Sequence, residues 1–170
     1  MEKVAKFEKV SFEQFVSSIE GFLDNLTTDQ IKKVYENIKL PKRATIASAG
    51  YDFFTYRNLV LRPGETIKVP TGIRCKIRED YVLVIAPRSS LGFKYRLQLD
   101  NTIGVIDSDY YNAKNEGHIF IKITNDSKSD KVMEVKKNEG FAQGIFLQYG
   151  ITEDDDVSEV RTGGIGSTTK

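Results

Sequence analysis

The 170-residue sequence contains one cysteine, one histidine and no tryptophan. A lone Cys75 excludes an internal disulfide, and Cys75 with His118 falls short of the four ligands of a structural zinc site. Any imidazole-based catalysis would have to rest on His118 alone. Also missing is an excess of either charge. Lys and Arg number 25 against 24 Asp and Glu, for a net charge of +1, whereas binding a nucleic-acid backbone calls for a clear basic surplus. No apolar run approaches the roughly 20 residues that span a bilayer, and Met1 to Lys6 lacks the apolar stretch of a secretory signal. The expectation is a cytoplasmic protein with neither nucleic acid nor membrane as a partner. What is present, 39% hydrophobic and 29% charged residues, is the balance of a folded domain. The length suits one core with a small extension.

The pattern changes near residues 41 and 153, which divides the chain into an extension (1–40), a body (41–152) and a tail (153–170). Residues 11–39 read as two helices. Ser11 with Gln14 and Thr27 with Gln30 have capping-box spacing. Phe12, Phe15, Val16, Ile19 and Leu23 line one helical face, and Ile31, Val34, Tyr35 and Ile38 line another. Pro41 ends the second. Beyond it, Leu59 to Val69 reads as strand, tight turn and strand. Gly72–Ile77, Tyr81–Ile85, His118–Ile123, Lys131–Lys136 and Gly144–Leu147 continue a series of short strands, the signature of an all-β sandwich or barrel. In the tail, the acidic run Glu153 to Asp156 leads into a segment with Gly163, Gly164 and Gly166. That segment is either a floppy terminus or an arm that orders over a phosphate ligand.

Two stretches offer chemistry. Arg88, Ser89 and Ser90 follow an apolar strand, and an Arg fork beside two hydroxyls can clamp phosphate; a turn with a surface Arg would look the same. Asp107 and Asp109 follow an apolar run, where a carboxylate can be held as a general base; an acid-rich hairpin turn is the alternative. Ala49-Gly50-Tyr51-Asp52 and Gly140-Phe141-Ala142-Gln143 are weak signals individually.

Together, these segments resemble the homotrimeric deoxyuridine triphosphatase (dUTPase) family. Its five motifs correspond in order to Ala49–Asp52, Pro87–Gly92, Asn101–Tyr110, Gly140–Gln143 and Arg161–Thr168. The resemblance covers residues 41–168 and implies a jelly-roll-like, distorted β-barrel, here with a two-helix extension and a flexible Gly-rich arm. It implies hydrolysis of dUTP to dUMP and pyrophosphate with Mg²⁺. It also implies a trimer with three shared sites, each taking its third motif from a neighbouring chain and its arm from a third.

Residue by residue, the resemblance makes Asp107 the base that activates water. It places Arg88, Ser89, Ser90, Gln143, Arg161, Ser167 and Thr168 on the phosphates. Asn101, with backbone at Val105, Ile106 and Phe120, would read the uracil, Tyr110 would lie under the deoxyribose, and Ile165 would cover the base. Mg²⁺ would sit mostly on phosphate oxygens and water, with Asp52 in its outer shell at most. Three features depart from the family pattern. Tyr111 to Glu116 intervene before Gly117, which reads as an enlarged hairpin tip. Ile165 stands where an aromatic is usual. Arg161 is one residue closer to it than in the commonest pattern.

Two rivals remain. The related dCTP deaminases need a Glu on the strand after the hairpin, where this chain has Lys122. A regulatory binding module would use residues 1–40 or 111–116 as a surface for a protein partner.

Overall fold

The computed structural model describes residues 1–159, 161 and 163, so Ser167, Thr168 and Ile165 lie outside the described residues. The chain is mainly β, as its pattern of short runs predicts. Its elements are β1 (Ala5–Lys9), α1 (Phe12–Val16), α2 (Thr28–Glu36), β2 (Lys42–Arg43), β3 (Tyr51–Phe54), β4 (Leu59–Leu61), β5 (Thr66–Pro70), β6 (Ile73–Ile77) and β7 (Tyr81–Pro87). There follow α3 (Ser89–Tyr95), β8 (Leu97–Leu99), β9 (Gly104–Ile106), a 3₁₀ helix (Ser108–Asn112), β10 (Phe120–Asn125), β11 (Met133–Val135) and β12 (Gly140–Gln148). The largest sheet has the order β2-β3-β12-β7-β9; β5-β10-β8, β1-β6 and β4-β11 complete the jelly-roll-like body. No helix among the described residues is long and apolar enough to cross a membrane.

Several elements differ from the sequence reading, each for a local reason. The first helix stops at Val16, because the Ser17 and Ser18 hydroxyls both donate to the Gln14 carbonyl at 2.8 Å. Ile19 and Phe22 are nonetheless buried, since a series of turns can present the same apolar side as a helix. Residues 5–9, inside what reads as a helical extension, form a strand antiparallel to β6. Strands β4 and β5 flank the expected turn but pair with β11 and β10 and not with each other. Arg88 caps a short helix where a turn was expected.

The extension is part of the core. Phe15 and Phe22 pack edge-on against Tyr56. Gly72 has φ +72°, and a Cβ there would meet Ile38 Cδ1 at 2.6 Å, so a side chain would be strained where the extension closes on this turn. The capping box at Thr27 forms in full. At Ser11 only half forms, because the Ser11 amide donates instead to Glu116 Oε2 at 2.7 Å and the Ser11 hydroxyl to Oε1 at 2.6 Å.

His118 is fully buried at the same junction. Its Nε2 accepts from the Gly72 amide at 2.8 Å, which leaves the proton on Nδ1, 3.2 Å from Ser18 Oγ. Burial pushes its pKa down to about 4, with Glu116 opposing and Lys68 reinforcing the shift. An unfolded histidine titrates near 6.5. Between these values the unfolded chain takes up a proton that the folded chain refuses, so stability is complete above about pH 6.5 and falls as the pH drops towards 4. The loss amounts to at most about 3 kcal/mol. Glu116 does not confound the upper part of this window. Burial raises its pKa, but the Ser11 hydrogen bonds and Arg74 outweigh that and hold it below the ordinary carboxylate value. Melting curves of the wild type and His118→Asn should converge as the pH falls from 7 to 5; a constant gap would show that His118 does not titrate with unfolding.

Candidate active site

The strand order of the large sheet gathers the motifs. Asp52 on β3 faces Gln143 on β12, and Gln143 faces Ala86 on β7. Arg88 leaves the end of β7 beside them, with Nε 3.2 Å from Asp52 Oδ1 and Nη1 donating to the Gly140 carbonyl at 3.2 Å. Gln143 Nε2 donates to the Pro87 carbonyl at 3.3 Å. Gly50 lies close against this cluster: a Cβ there would fall 2.7 Å from Gln143 Oε1. Arg88, Ser89, Ser90, Gln143 and Asp52 line one polar cleft. A guanidinium, two hydroxyls and an amide around an open space are the donors that a phosphate chain would need.

A second cavity, of about 480 Å³, lies elsewhere. Asn101, Val105, Ile106 and Phe120 all line it, together with Lys68, Asp100, Asn115 and Lys122. Strand β9 is the last in its sheet, so its outer edge offers unpaired backbone donors and acceptors to this cavity. Lys122 is held by Asp100 at 2.6 Å; an ammonium cannot act as the carboxylic acid of a deaminase. Asp107 follows β9 at the start of the 3₁₀ helix, half-exposed. Lys68, Asp100 and Asn115 were not apparent from the sequence, although the six residues that intervene before Gly117 marked the segment that brings Asn115 in.

Three parts of the expected site stand elsewhere within the single chain. Tyr110 is buried, does not line the cavity, and donates its hydroxyl to the His118 carbonyl at 2.7 Å. Asn115, a residue of the cavity wall, donates from Nδ2 to the Tyr110 hydroxyl at 2.8 Å. Segment 111–116 is not a hairpin tip, because β9 pairs with β7 whereas β10 pairs with β5 and β8. It packs on the extension. Tyr111 donates to Glu8 at 2.6 Å and lies under Arg74, whose guanidinium carbon is 3.8 Å from the ring centroid. Gly117, at φ +69°, returns the chain so tightly that a Cβ would meet the Tyr110 carbonyl at 2.8 Å. Arg161 lies away from the phosphate cleft. Its Nη2 donates to Asp107 Oδ2 at 2.6 Å, and its Nε lies 2.9 Å from Asp109 Oδ1.

Asp107 and Arg88 are far apart within one chain. Leu83 faces Ile106 across β7 and β9, so Asp107 lies near the start of β7 and Arg88 beyond its end. The strand rise puts them about 20 Å apart. Among the described residues no three His, Cys, Asp or Glu side chains converge to hold a metal.

Comparison with known proteins agrees with this geometry. The family model for dUTPase matches residues 36–169. The deoxyuridine 5'-triphosphate nucleotidohydrolase of Lactococcus lactis subsp. lactis is 41% identical over 139 residues, 79% of this chain and 91% of that protein. A crystal structure of dUTPase from Streptococcus mutans is 32% identical with a TM-score of 0.62, covering 86% of this chain and 98% of that one. A mutant dUTPase from phage phi11 of S. aureus, in which a structural Mg(II) ion is coordinated, shares the fold at 21% identity and a TM-score of 0.62, covering 92% of this chain and 98% of that one. Motif order, strand register and relatives agree: the chain belongs to the dUTPase family of hydrolases.

Proposed function

We propose that this protein hydrolyses dUTP to dUMP and pyrophosphate in the cytoplasm, as a homotrimer whose sites each combine parts of neighbouring chains. The observation that carries the reading is a base-sized cavity beside β9, the strand that Asp107 directly follows, together with an anion cleft at Arg88 beyond the end of β7. One triphosphate cannot span both within a chain, whereas a neighbour's cleft can face the cavity.

In this reading the uracil edge lies against the free edge of β9 near Val105 and Ile106 and against Phe120, with Asn101 at the rim. Fixed backbone donors and acceptors suit uracil and mismatch cytosine. Asp107 orients a water and accepts its proton. The water oxygen forms a bond to the α-phosphorus as the bond to the bridging oxygen of the β-phosphate breaks, and pyrophosphate leaves with that electron pair. Arg88, Ser89, Ser90 and Gln143 hold the phosphates, and Arg161 exchanges Asp107 for phosphate oxygens, with Ser167, Thr168 and Ile165 following on the arm. The donor set fits a Mg²⁺ that arrives on the triphosphate, since Asp52 is already engaged by Arg88 and no protein cage is present among the described residues. Bound there, the ion would neutralise phosphate charge, with Asp52 in its outer shell.

Purified protein with Mg²⁺ should convert dUTP to dUMP and pyrophosphate, discriminate against dCTP and UTP, and scatter light as a trimer. Release of single phosphate, or equal rates on dCTP, would overturn the substrate assignment, and an active monomer would overturn the shared site.

A further inference from the structure

His118 lies one layer behind the wall of the large cavity. It is fully buried, and its ring packs on that of Phe120, a lining residue, at a centroid distance of 4.4 Å and a tilt of 39°. Both of its ring nitrogens are committed to the N-terminal extension and the turn on which that extension closes. Nε2 accepts from the Gly72 amide at 2.8 Å, and Nδ1 lies 3.2 Å from Ser18 Oγ. The Ser18 hydroxyl already donates to the Gln14 carbonyl at 2.8 Å and accepts from Gln14 Nε2 at 2.9 Å, so towards His118 it can only accept. Two independent requirements thus put the proton on Nδ1 and lock the imidazole in one tautomer and one orientation. Gly72 is held in turn, since its carbonyl accepts from the Val10 amide at 3.1 Å. Phe120 depends on such side-chain support. It opens β10 opposite Pro70, which has no amide proton to give the ladder there.

We infer that His118 is a positioning residue through which the N-terminal extension fixes the Phe120 wall of the cavity, and with it the affinity for nucleotide; this rests on the proposed dUTP reading. The imidazole cannot change its tilt against Phe120 without breaking a buried hydrogen bond to Gly72 or to Ser18, and neither bond has water to replace it. The extension therefore does more than cover the core: it sets the angle of a ring that the cavity leans on. Ser18 does not line the cavity, so the route the structure gives it to the nucleotide runs through His118 and Phe120. Coupling of this kind is reciprocal, and a nucleotide that settles against Phe120 must also steady the extension.

The test is a double-mutant cycle read as nucleotide affinity. Ser18→Ala should raise KM for dUTP, and Kd for a non-hydrolysable imido analogue, about twofold to tenfold, the range of one hydrogen bond. Its kcat should stay within about twofold. A merely structural loss would lower the folded fraction, and so the apparent kcat, without moving Kd. His118→Phe keeps a ring against Phe120 but makes neither hydrogen bond, and should weaken binding at least as much. In that background Ser18→Ala should add less than about twofold, because the link is already cut. Additive losses, or an unchanged Kd in Ser18→Ala, would overturn the inference. A second measurement needs no variant: on binding the imido analogue, the amides of Gly72 and of residues 18–23 should exchange hydrogen at least about threefold more slowly. Unchanged exchange there, beside protection of the β9 edge, would overturn the inference. Absence of dUTP turnover by the wild type would instead refute the underlying substrate reading.

Discussion

Asp107→Asn is expected to lower kcat by about two to four orders of magnitude while leaving KM within a few-fold. The amide keeps the size of the carboxylate and can still accept a hydrogen bond from water, but it cannot take the proton, and general-base catalysis contributes that range. The surrounding structure should survive the change. Asp107 is half-exposed, and Arg161 keeps its second carboxylate partner, Asp109, at 2.9 Å. Asp109→Asn is the control, because it removes the other half of the same ion pair. A loss below tenfold there, beside a large loss at Asp107, would separate the base from the arm's anchor. The decisive measurements are steady-state kinetics and the affinity for a non-hydrolysable imido analogue. Near-normal kcat in Asp107→Asn would remove Asp107 from the chemistry.

Arg88→Ala should lower kcat/KM by about two to three orders of magnitude, because a guanidinium that pairs with phosphate oxygens stabilises charge as the bond to pyrophosphate breaks. The variant also tests where the parts of the site come from. With Asp107 and Arg88 about 20 Å apart along β7, a working pair must draw on two chains. When equal amounts of the Asp107→Asn and Arg88→Ala chains are unfolded together and reassembled, half the chains carry an intact Asp107. Half of their neighbours carry an intact Arg88, so about a quarter of the sites should be whole. Recovery of about a quarter of wild-type kcat from two nearly inactive proteins is the expected result. No recovery, with mixed trimers demonstrated by mass, would place both residues of each site in one chain.

The parts of this molecule that could be read from its residues are those governed by local physics. The caps at Ser11 and Thr27, the short β-rich runs and the order of the motifs all depend on near neighbours. Asn101, Val105, Ile106 and Phe120 could be grouped by resemblance, and one cavity does unite them. Pairing was harder to read. The turn at Pro63 and Gly64 looks like a hairpin, yet the strands on either side find distant partners, because both must bury their apolar faces against different layers. Strand β1 was obscured by its length of five residues and by the charged side chains of Lys6, Glu8 and Lys9 within it. The presence of Asn115 in the cavity wall could not be read at all. It depends on a loop whose shape is set by Glu8, Ser11 and Arg74, residues that lie far away in sequence.

Glu116 receives both the amide and the hydroxyl of Ser11, and this has a consequence for how such a gene can be rearranged. The N-terminal segment and the 111–116 loop form one transferable unit, although about a hundred residues of coding sequence separate them. A chimaera that inherited the loop from this chain and its first residues from a shorter relative would carry Glu116 without its donors, and hydrogen bonds to a charged group are worth about 1.5–3 kcal/mol each. The reciprocal chimaera would leave the amide and hydroxyl of Ser11 without their acceptor. Crossovers between Ser11 and Glu116 should therefore be selected against, and the two segments should be gained or lost together.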